Sequence, residues 1–309
     1  MPSDNLKSYV QLHLIVFIWG FTAVLGALIS LEALPLVWFR MLFAVGFIGI
    51  YIYIKKLSIK ITRKTFLQFI FSGLIIALHW FTFFKAIKVS NISITLACLS
   101  TGAFFASILE PVIFGKKVVW YELLSGIIVI AGLYMVAVSG IPDGTQGLLK
   151  AIVNGGNSFL FGIGLALLSA FLSALFAVIN SRLVQKHDPT VISFYELGGG
   201  VIFFTLLLLA TKSFSAGFFM LSAKDFMYLM ILSSACTAYA FIASTGVMKF
   251  LSPYTVMLTI NLEPIYGICL AVLIFEEKEK MSFEFYIGAL IILMTVILNG
   301  IIKSRKKLS

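Results

Sequence analysis

The segment 251–284, LSPYTVMLTINLEPIYGICLAVLIFEEKEKMSFE, decides the fold. Its apolar run from Pro253 to Phe275 is long enough to cross about 30 Å of hydrocarbon as a helix. Glu263 lies near its centre, where a carboxylate costs about 2.5–3.5 kcal/mol and normally faces a bundle interior or a water-filled cavity. Pro264 weakens the helix beside it, because proline lacks a backbone donor. The segment predicts a membrane span with a local break and a candidate site. The alternative is a kinked helix whose glutamate pairs with a neighbour for packing.

Composition places the chain among integral membrane proteins. Of its 309 residues, 61% are hydrophobic and 12% are charged, and the mean hydropathy is +1.07. A soluble globule of this size has no means of burying so much apolar surface. The cysteines, Cys98, Cys236 and Cys269, lie in apolar segments without metal-ligand spacing, so we interpret them as small packing residues. We expect no metal and no cofactor.

Ten apolar segments of spanning length predict an all-α membrane protein with ten transmembrane helices. They lie at 10–29, 34–54, 66–87, 92–109, 120–138, 159–184, 189–211, 226–250, 253–275 and 283–302. The longest polar connection divides them five and five. We therefore predict a first five-helix repeat at 1–140, a connecting loop at 141–158 and a second five-helix repeat at 159–309.

Five spans in each half give the two halves opposite orientations in the membrane. A displacement of 162 residues aligns Ser90 with Ser252 and makes Thr101 the counterpart of Glu263. Transporters built from inverted repeats hold their substrate near the bilayer midplane, between the halves. Glu110 resembles Glu263, since proline follows both, but this displacement does not align them. We expect Glu110 at the membrane interface.

Lysine and arginine predict the orientation. With the N-terminus inside, the cytoplasmic segments carry 15 of the 23 basic residues and the opposite segments carry 7. The positive-inside rule then places both termini in the cytoplasm, in a multi-pass protein of the cell inner membrane. The basic residues are divided among many loops, which favours contact with membrane lipid over a nucleic-acid partner. We expect a monomer or a weak homodimer.

Several motifs resemble EamA-type members of the drug/metabolite transporter superfamily. They are Trp19-Gly20, Pro35 with Arg40, HWFTFFKAIKVSNISI at 79–94, and LEPIYGICLAVLIFEEKEK at 262–280. The resemblance covers nearly the whole chain. It implies a central cavity lined mainly by spans 1, 3, 4, 6, 8 and 9, with export of small metabolites as a frequent activity.

The candidate substrate-binding residues combine a polar stripe with aromatic and titratable groups. Thr255, Thr259 and Glu263 recur every fourth residue and so share one helix face. The other candidates are Thr101, His79, Trp80, Trp19 and Tyr239. The alternative interpretation is that each hydroxyl bonds to its own helix backbone and that each aromatic ring packs in the core or against lipid.

The candidate gating or ion-pair residues are Arg40, Glu196 and Pro264. At 1.5 Å per residue, Arg40 and Glu263 differ in depth by about 7 Å, whereas Arg40 and Glu196 differ by about 12 Å. Arg40 is therefore a lock on Glu263, an anchor for an anionic group, or a side chain that reaches the outer headgroups.

Small residues in span 6 predict close helix packing. Ser169, Ser173 and Ala177 lie every fourth residue, and Gly198-Gly199-Gly200 plays a similar part in span 7. We expect packing from these residues, and no chemistry.

Secondary transport is the function that these patterns predict. The substrate is a small metabolite, such as an amino acid, a related solute or a drug-like compound, exported by alternating access. A nucleotide-sugar or lipid-linked exchanger is the alternative within transport, and an intramembrane enzyme is the alternative from another class. The sequence lacks the HExxH and GxSxG motifs of enzymes and the repeated filter loops of channels. It also lacks a Walker A motif, which leaves a proton or a counter-solute as the open choices for a driving partner.

Overall fold

A computed structural model of the protein describes residues 2–115, 120–139, 146 and 158–306. The predicted connecting loop at 141–158 lies outside the described residues except for Gln146 and Ser158. The α-helices are α1 Pro2–Leu28, α2 Ala33–Lys55, α3 Arg63–Val89, α4 Ile92–Leu99, α5 Gly102–Phe114, α6 Trp120–Ser139, α7 Ser158–Leu183, α8 Pro189–Ala210, α9 Ala223–Ser233, α10 Ala240–Val247, α11 Pro253–Ile260, α12 Glu263–Phe275 and α13 Phe283–Lys306. A π-helical segment, Ser234–Tyr239, joins α9 to α10, and 3₁₀ turns cover Ala216–Phe219 and Glu276–Lys278.

The described helices confirm the all-α membrane architecture. Within the described residues, eight continuous or broken helices are long and apolar enough to cross a membrane: Leu6–Leu28, Ala33–Lys55, Arg63–Val89, Ile92–Phe114, Ser158–Leu183, Pro189–Ala210, Ala223–Val247 and Pro253–Lys278. Two shorter apolar helices, Ile127–Ser139 and Phe283–Thr295, occupy the fifth and tenth positions. The ten helices agree with the ten spans predicted from hydropathy.

Spans 4 and 9 are both broken, and the breaks fall at equivalent places. Each span consists of a helix of 8 residues followed by one of 13 residues. The break before Glu263 confirms the one predicted from Pro264. The starts of the first helices, Ile92 and Pro253, are 161 positions apart, as are the starts of the second, Gly102 and Glu263. In these spans the counterpart of Glu263 is therefore Gly102, and the predicted pairing with Thr101 is wrong by one residue.

Side-chain caps fix this register. The Asn91 side chain accepts a hydrogen bond from the backbone N–H of Ile94 at 2.8 Å. Ser252 accepts one from the N–H of Thr255 at 3.2 Å. Such N-caps satisfy a donor that has no partner within the helix, and they define where the helix begins. The two caps are also 161 positions apart, so local backbone chemistry sets the correspondence between the halves.

Glycine allows close helix contact at two places. Gly132 on α6 and Gly288 on α13 face each other, because an added Cβ on either would lie within 2.9 Å of the other's carbonyl oxygen. On α8, a Cβ at Gly200 would lie 3.0 Å from the Cβ of Ala77, and one at Gly199 would lie 3.3 Å from the Cα of Ile70. The close approach predicted for the glycines of span 7 is thus confirmed for α3 against α8.

Candidate substrate cavity

A cavity of about 60 Å³ lies among helices of both halves. Its wall includes residues of α1, α2, α3, α4, α7, α10, α11 and α12. Five of the candidate site residues predicted from the sequence lie on this wall: Trp19, Arg40, His79, Trp80 and Glu263. A volume of this size holds a few water molecules, since one water needs about 10–15 Å³ of such space.

Arg40 is buried on the cavity wall with part of its guanidinium group unsatisfied. Only 1% of the residue is exposed. The guanidinium carbon lies 4.0 Å from the ring centroid of Trp80, which gives a cation–π contact. Nε donates a hydrogen bond to Thr237 Oγ1 at 2.7 Å, and Nη2 approaches the carbonyl oxygen of Cys236 at 3.5 Å. Nη1 has no hydrogen-bond partner among the described residues. The guanidinium group therefore has capacity to bind an anion.

The π-helical segment supplies the groups that hold Arg40. Thr237 Oγ1 donates to the carbonyl of Leu232, five residues earlier, at 2.7 Å while it accepts from Arg40. The Cys236 carbonyl also accepts from Trp19 Nε1 at 3.1 Å. A π-helical turn departs from the regular α-helical ladder and so frees carbonyl groups for other donors, often at functional sites. Sequence reasoning missed Thr237, because hydropathy does not distinguish a π turn from an α-helical one.

Glu263 faces Arg40 without a direct ion pair. It is the first residue of α12 and is 6% exposed. The two charges interact electrostatically, but among the described residues no basic nitrogen lies within 4.0 Å of the Glu263 carboxylate. The predicted lock of Arg40 on Glu263 is therefore absent from this conformation. A cation and an anion instead share one cavity wall.

His79 is held by a helix that the sequence assigned to packing. His79 Nδ1 lies 2.8 Å from Ser169 Oγ and 2.9 Å from the Ser169 carbonyl oxygen. Ser173 and Ala177, on the same face of α7, line the cavity. The packing role predicted for this small-residue stripe is therefore incomplete. The four-residue spacing of the stripe correctly identifies one face of α7. Because the cavity lies against that face, the stripe lines the cavity as well as packing against other helices.

The predicted hydroxyl stripe does not contribute to the cavity wall. Thr101 Oγ1 donates to the carbonyl of Cys98 at 2.8 Å. Thr259 Oγ1 donates to the carbonyl of Thr255 at 3.0 Å, and Thr255 lies in the first turn of α11, next to its cap. These contacts match the alternative in which a hydroxyl bonds to its own helix.

Tyr239, Pro264 and Glu196 also lie outside the wall. Tyr239 is 47% exposed. Pro264 occupies the first turn of α12, where a missing N–H carries little cost. Glu196 is fully buried and accepts a hydrogen bond from Asn180 Nδ2 at 2.8 Å. It makes no ion pair with Arg40, as the depth estimate predicted.

Much of the remaining wall is apolar, and sequence analysis did not identify it. These further lining residues are Thr22, Ile76, Phe83, Leu99, Phe176, Phe241, Ser244, Met248, Met257 and Ile260. Apolar residues at helical spacing look alike whether they face a core or a cavity. The resemblance to EamA-type transporters nevertheless implied most of the lining helices correctly.

The cavity extends towards one membrane face. Met248 is the C-cap of α10, and Met257 lies in the second turn of α11. At 1.5 Å per residue, Phe83 and Leu99 lie about 9–10 Å from the other ends of α3 and α4. The wall therefore approaches the face that carries the α10–α11 turn, which we call the α10–α11 face, and stops short of the opposite one.

Buried carboxylates close the opposite face. Glu279 accepts hydrogen bonds from the backbone N–H groups of Ile92 and Ser93, both at 3.0 Å. This places a negative charge at the positive end of α4. Asp225 accepts from the N–H and the hydroxyl of Ser30, both at 2.7 Å. The loop between spans 1 and 2 is thus tied to α9, and the loop between spans 9 and 10 to the start of α4.

Glu110 forms a related contact at the α10–α11 face. Its Oε2 lies 3.3 Å from the backbone N–H of Tyr254, at the start of α11. Glu110 is 7% exposed and lies one turn before the end of α5 at Phe114; its predicted position at the membrane interface stays a prediction. The end of span 4 therefore contacts the start of span 9, and Glu279 provides the reverse contact.

Comparisons with known proteins agree with this architecture. The model of the EamA-like transporter family matches residues 6–138 and 160–301. An uncharacterized transporter of Archaeoglobus fulgidus is 24% identical over 217 residues, which are 70% of this chain and 69% of that protein. A solved crystal structure superposes with a TM-score of 0.66 at 14% identity, over 95% of this chain and 97% of that one. The structural likeness concerns the fold alone.

Proposed function

Because this chain belongs to the EamA-like transporter family, we propose that it exports a small zwitterionic metabolite of the amino-acid type across the cell inner membrane by alternating access. The observation that supports this proposal is that Arg40 and Glu263 lie on one cavity wall but form no direct ion pair. A guanidinium group binds a carboxylate through charge-assisted hydrogen bonds, and a carboxylate accepts hydrogen bonds from an ammonium group. Trp80 and Phe241 supply apolar surface for the rest of the substrate.

The alternatives have less support. A nucleotide-sugar or a lipid diphosphate carries several negative charges, whereas Arg40 is the one arginine or lysine on the described cavity wall. An intramembrane metalloenzyme requires a cluster of ligands, and the described residues include no group of three or more His, Cys, Asp or Glu that could hold a metal ion. Neither alternative explains why a cation and an anion share the wall.

Export by alternating access begins from a conformation that is open towards the cytoplasm, and the closed opposite face fits that starting conformation. The surplus of lysine and arginine favours a cytoplasmic position for the α10–α11 face. Substrate then enters from the cytoplasm, past Met248 and Met257. Widening of the cavity and release of the Glu279 and Asp225 contacts open the opposite face. The Glu279 contact, like the Glu110 contact at the other face, involves the ends of the broken spans 4 and 9.

Counterflow across liposome membranes tests the proposal. The purified protein is reconstituted and given a panel of neutral amino acids, each with its methyl ester and its N-acetyl derivative. We expect exchange of at least one amino acid, reduced about tenfold or more by loss of either charge, since a hydrogen bond between charged groups contributes about 1.5–3 kcal/mol. Protein-free liposomes are the control. Equal exchange of a parent and both derivatives, or no exchange of any amino acid, would contradict the proposal.

A further inference from the structure

A second polar cluster lies beside the cavity. It consists of Ser72 on α3, Asn180 on α7 and Glu196 on α8, all fully buried. Asn180 Nδ2 donates to Glu196 Oε1 at 2.8 Å and to Ser72 Oγ at 3.1 Å. The two N–H donors of the Asn180 amide group are therefore both used, one on Glu196 and one on Ser72.

The cluster has more acceptors than donors. Glu196 Oε2 and Asn180 Oδ1 are both buried and have no hydrogen-bond partner among the described residues. A neutral carboxylic acid carries one O–H donor, and a carboxylate carries none. The Ser72 hydroxyl also interacts with the Glu196 carboxyl, but it neutralises no charge, so an added proton on Glu196 is the neutralising group that this site lacks. Without it, the protein would bury an unpaired charge at a cost of several kcal/mol or more.

No nearby charge takes the place of that proton. Away from the helix ends, the titratable groups on or beside the helices around Glu196 are Arg40 on α2, His79 on α3, His187 before α8, and Tyr195 on α8, whose hydroxyl donates to the carbonyl oxygen of Ile59 at 2.9 Å. Arg40 bonds to Thr237, His79 bonds to Ser169, and the His187 ring packs on Phe69 at 5.2 Å between centroids. The remaining charged groups of this region lie near the helix ends: Arg63, Lys64, Arg182, Lys186 and Asp188.

The cluster is one helical turn from the cavity. Ser72 lies four residues before Ile76 on α3, and Asn180 lies four residues after Phe176 on α7. Ile76 and Phe176 both line the cavity. Residues four apart share a helix face, about 6 Å along the axis. The cluster lies towards the α10–α11 face, in the direction in which the cavity extends.

Tight packing seals the cluster in this conformation. A Cβ at Gly73 would overlap the backbone carbonyl oxygen of Glu196. Hence α3 and α8 are in close backbone contact at this level. Water from the cavity reaches the Glu196 carboxyl only when these helices separate or when the turn that contains Ile76 and Phe176 moves.

We propose that Glu196 is a proton-binding site that couples transport to the proton gradient. This inference rests on the proposed function. The carboxylate takes a proton from water on one side, carries it as a neutral acid while the cluster is sealed, and releases it to water on the other side. A proton suits the site better than a metal cation, since hard metal cations take about six or more oxygen ligands. The cluster offers the carboxylate, the Asn180 amide oxygen and the Ser72 hydroxyl.

Infrared difference spectroscopy tests the proton site without a substrate. A pH titration of the purified protein follows the carbonyl stretch of protonated carboxyl groups. We expect a band that is lost in Glu196→Gln and retained in Glu110→Gln, a matched change of a buried glutamate that contacts a backbone N–H. Glu196→Asp, which keeps the acid, retains a shifted band. A spectrum unchanged by Glu196→Gln would overturn the proposal.

Transport in liposomes tests the coupling. The probe is the amino acid of the panel that the wild type exchanges fastest, supplied with and without an imposed pH gradient. We expect the wild type to accumulate it under the gradient. Glu196→Gln should lose accumulation and keep counterflow. Equal accumulation by both proteins, loss of counterflow in the variant, or accumulation that follows a sodium gradient instead would each overturn proton coupling. If no amino acid is exchanged, the proposed function fails, and the infrared band remains an independent test of the site.

Discussion

Arg40→Gln is expected to lower counterflow of the amino acid by about 10- to 100-fold, because the substrate carboxylate loses a charge-assisted partner worth about 1.5–3 kcal/mol. The methyl ester, which lacks that carboxylate, should be affected far less. Initial rates of exchange in liposomes give both numbers. The ratio of amino acid to ester is the diagnostic quantity, since a general loss of activity leaves it unchanged.

Two further variants separate binding from folding. Arg40→Lys keeps the charge, but it loses the planar fork and the Nε bond to Thr237, so we expect an intermediate rate. Arg63→Gln removes an exposed arginine at the start of α3 and serves as the matched control. Monodispersity in size-exclusion chromatography shows that each variant folds. A wild-type ratio in a folded Arg40→Gln protein would show that the guanidinium group binds no substrate carboxylate.

Glu263→Gln is expected to change selectivity at the other end of the substrate. The carboxylate that accepts from the ammonium group becomes a neutral amide, so exchange of the parent amino acid should fall about tenfold or more. Exchange of the N-acetyl derivative, which has no ammonium group, should stay near its wild-type rate. The same panel in liposomes measures both. Glu277→Gln is the matched control, because the Glu277 side chain is 80% exposed at the membrane surface.

The folded yield of the variants provides a second test of the role of Glu263. If Glu263 served only as a structural partner of Arg40, Glu263→Gln would lower the folded yield, and adding Arg40→Gln would restore part of it. Rescue by the double variant, together with an unchanged preference for the parent amino acid, would assign Glu263 to packing.

The sequence predicts the fold well, because burying charge and breaking helices in a membrane are costly. The cost of Glu263 and the missing donor of Pro264 located the break in span 9. The cost of Arg40 likewise marked a residue that the structure places on the cavity wall. The register between the halves was wrong by one residue, since it rested on scattered identities, whereas the caps Asn91 and Ser252 set the helix starts.

Other parts of the site depend on tertiary structure and leave little trace in the sequence. Thr101 and Thr259 bond to their own helices, whereas Thr237 turns to Arg40 within a π-helical segment. Hydropathy and spacing do not separate these two uses of a hydroxyl. Ser169 illustrates the same difficulty, because a small residue at a helix seam and the partner of His79 have the same sequence signature.

Thiol protection within the cavity tests the central claim most directly. Cys98, Cys236 and Cys269 are replaced by alanine, and one cysteine is introduced at Ser244, on the cavity wall, or at Ile291 in α13 as the control. A water-soluble thiol reagent is then applied from the cytoplasmic side, with and without the exchanged amino acid. The account predicts that Ser244→Cys reacts and that the amino acid slows its reaction, with no protection at Ile291→Cys. Absence of protection at Ser244→Cys, or equal protection at both positions, would contradict the assignment of this cavity as the substrate site.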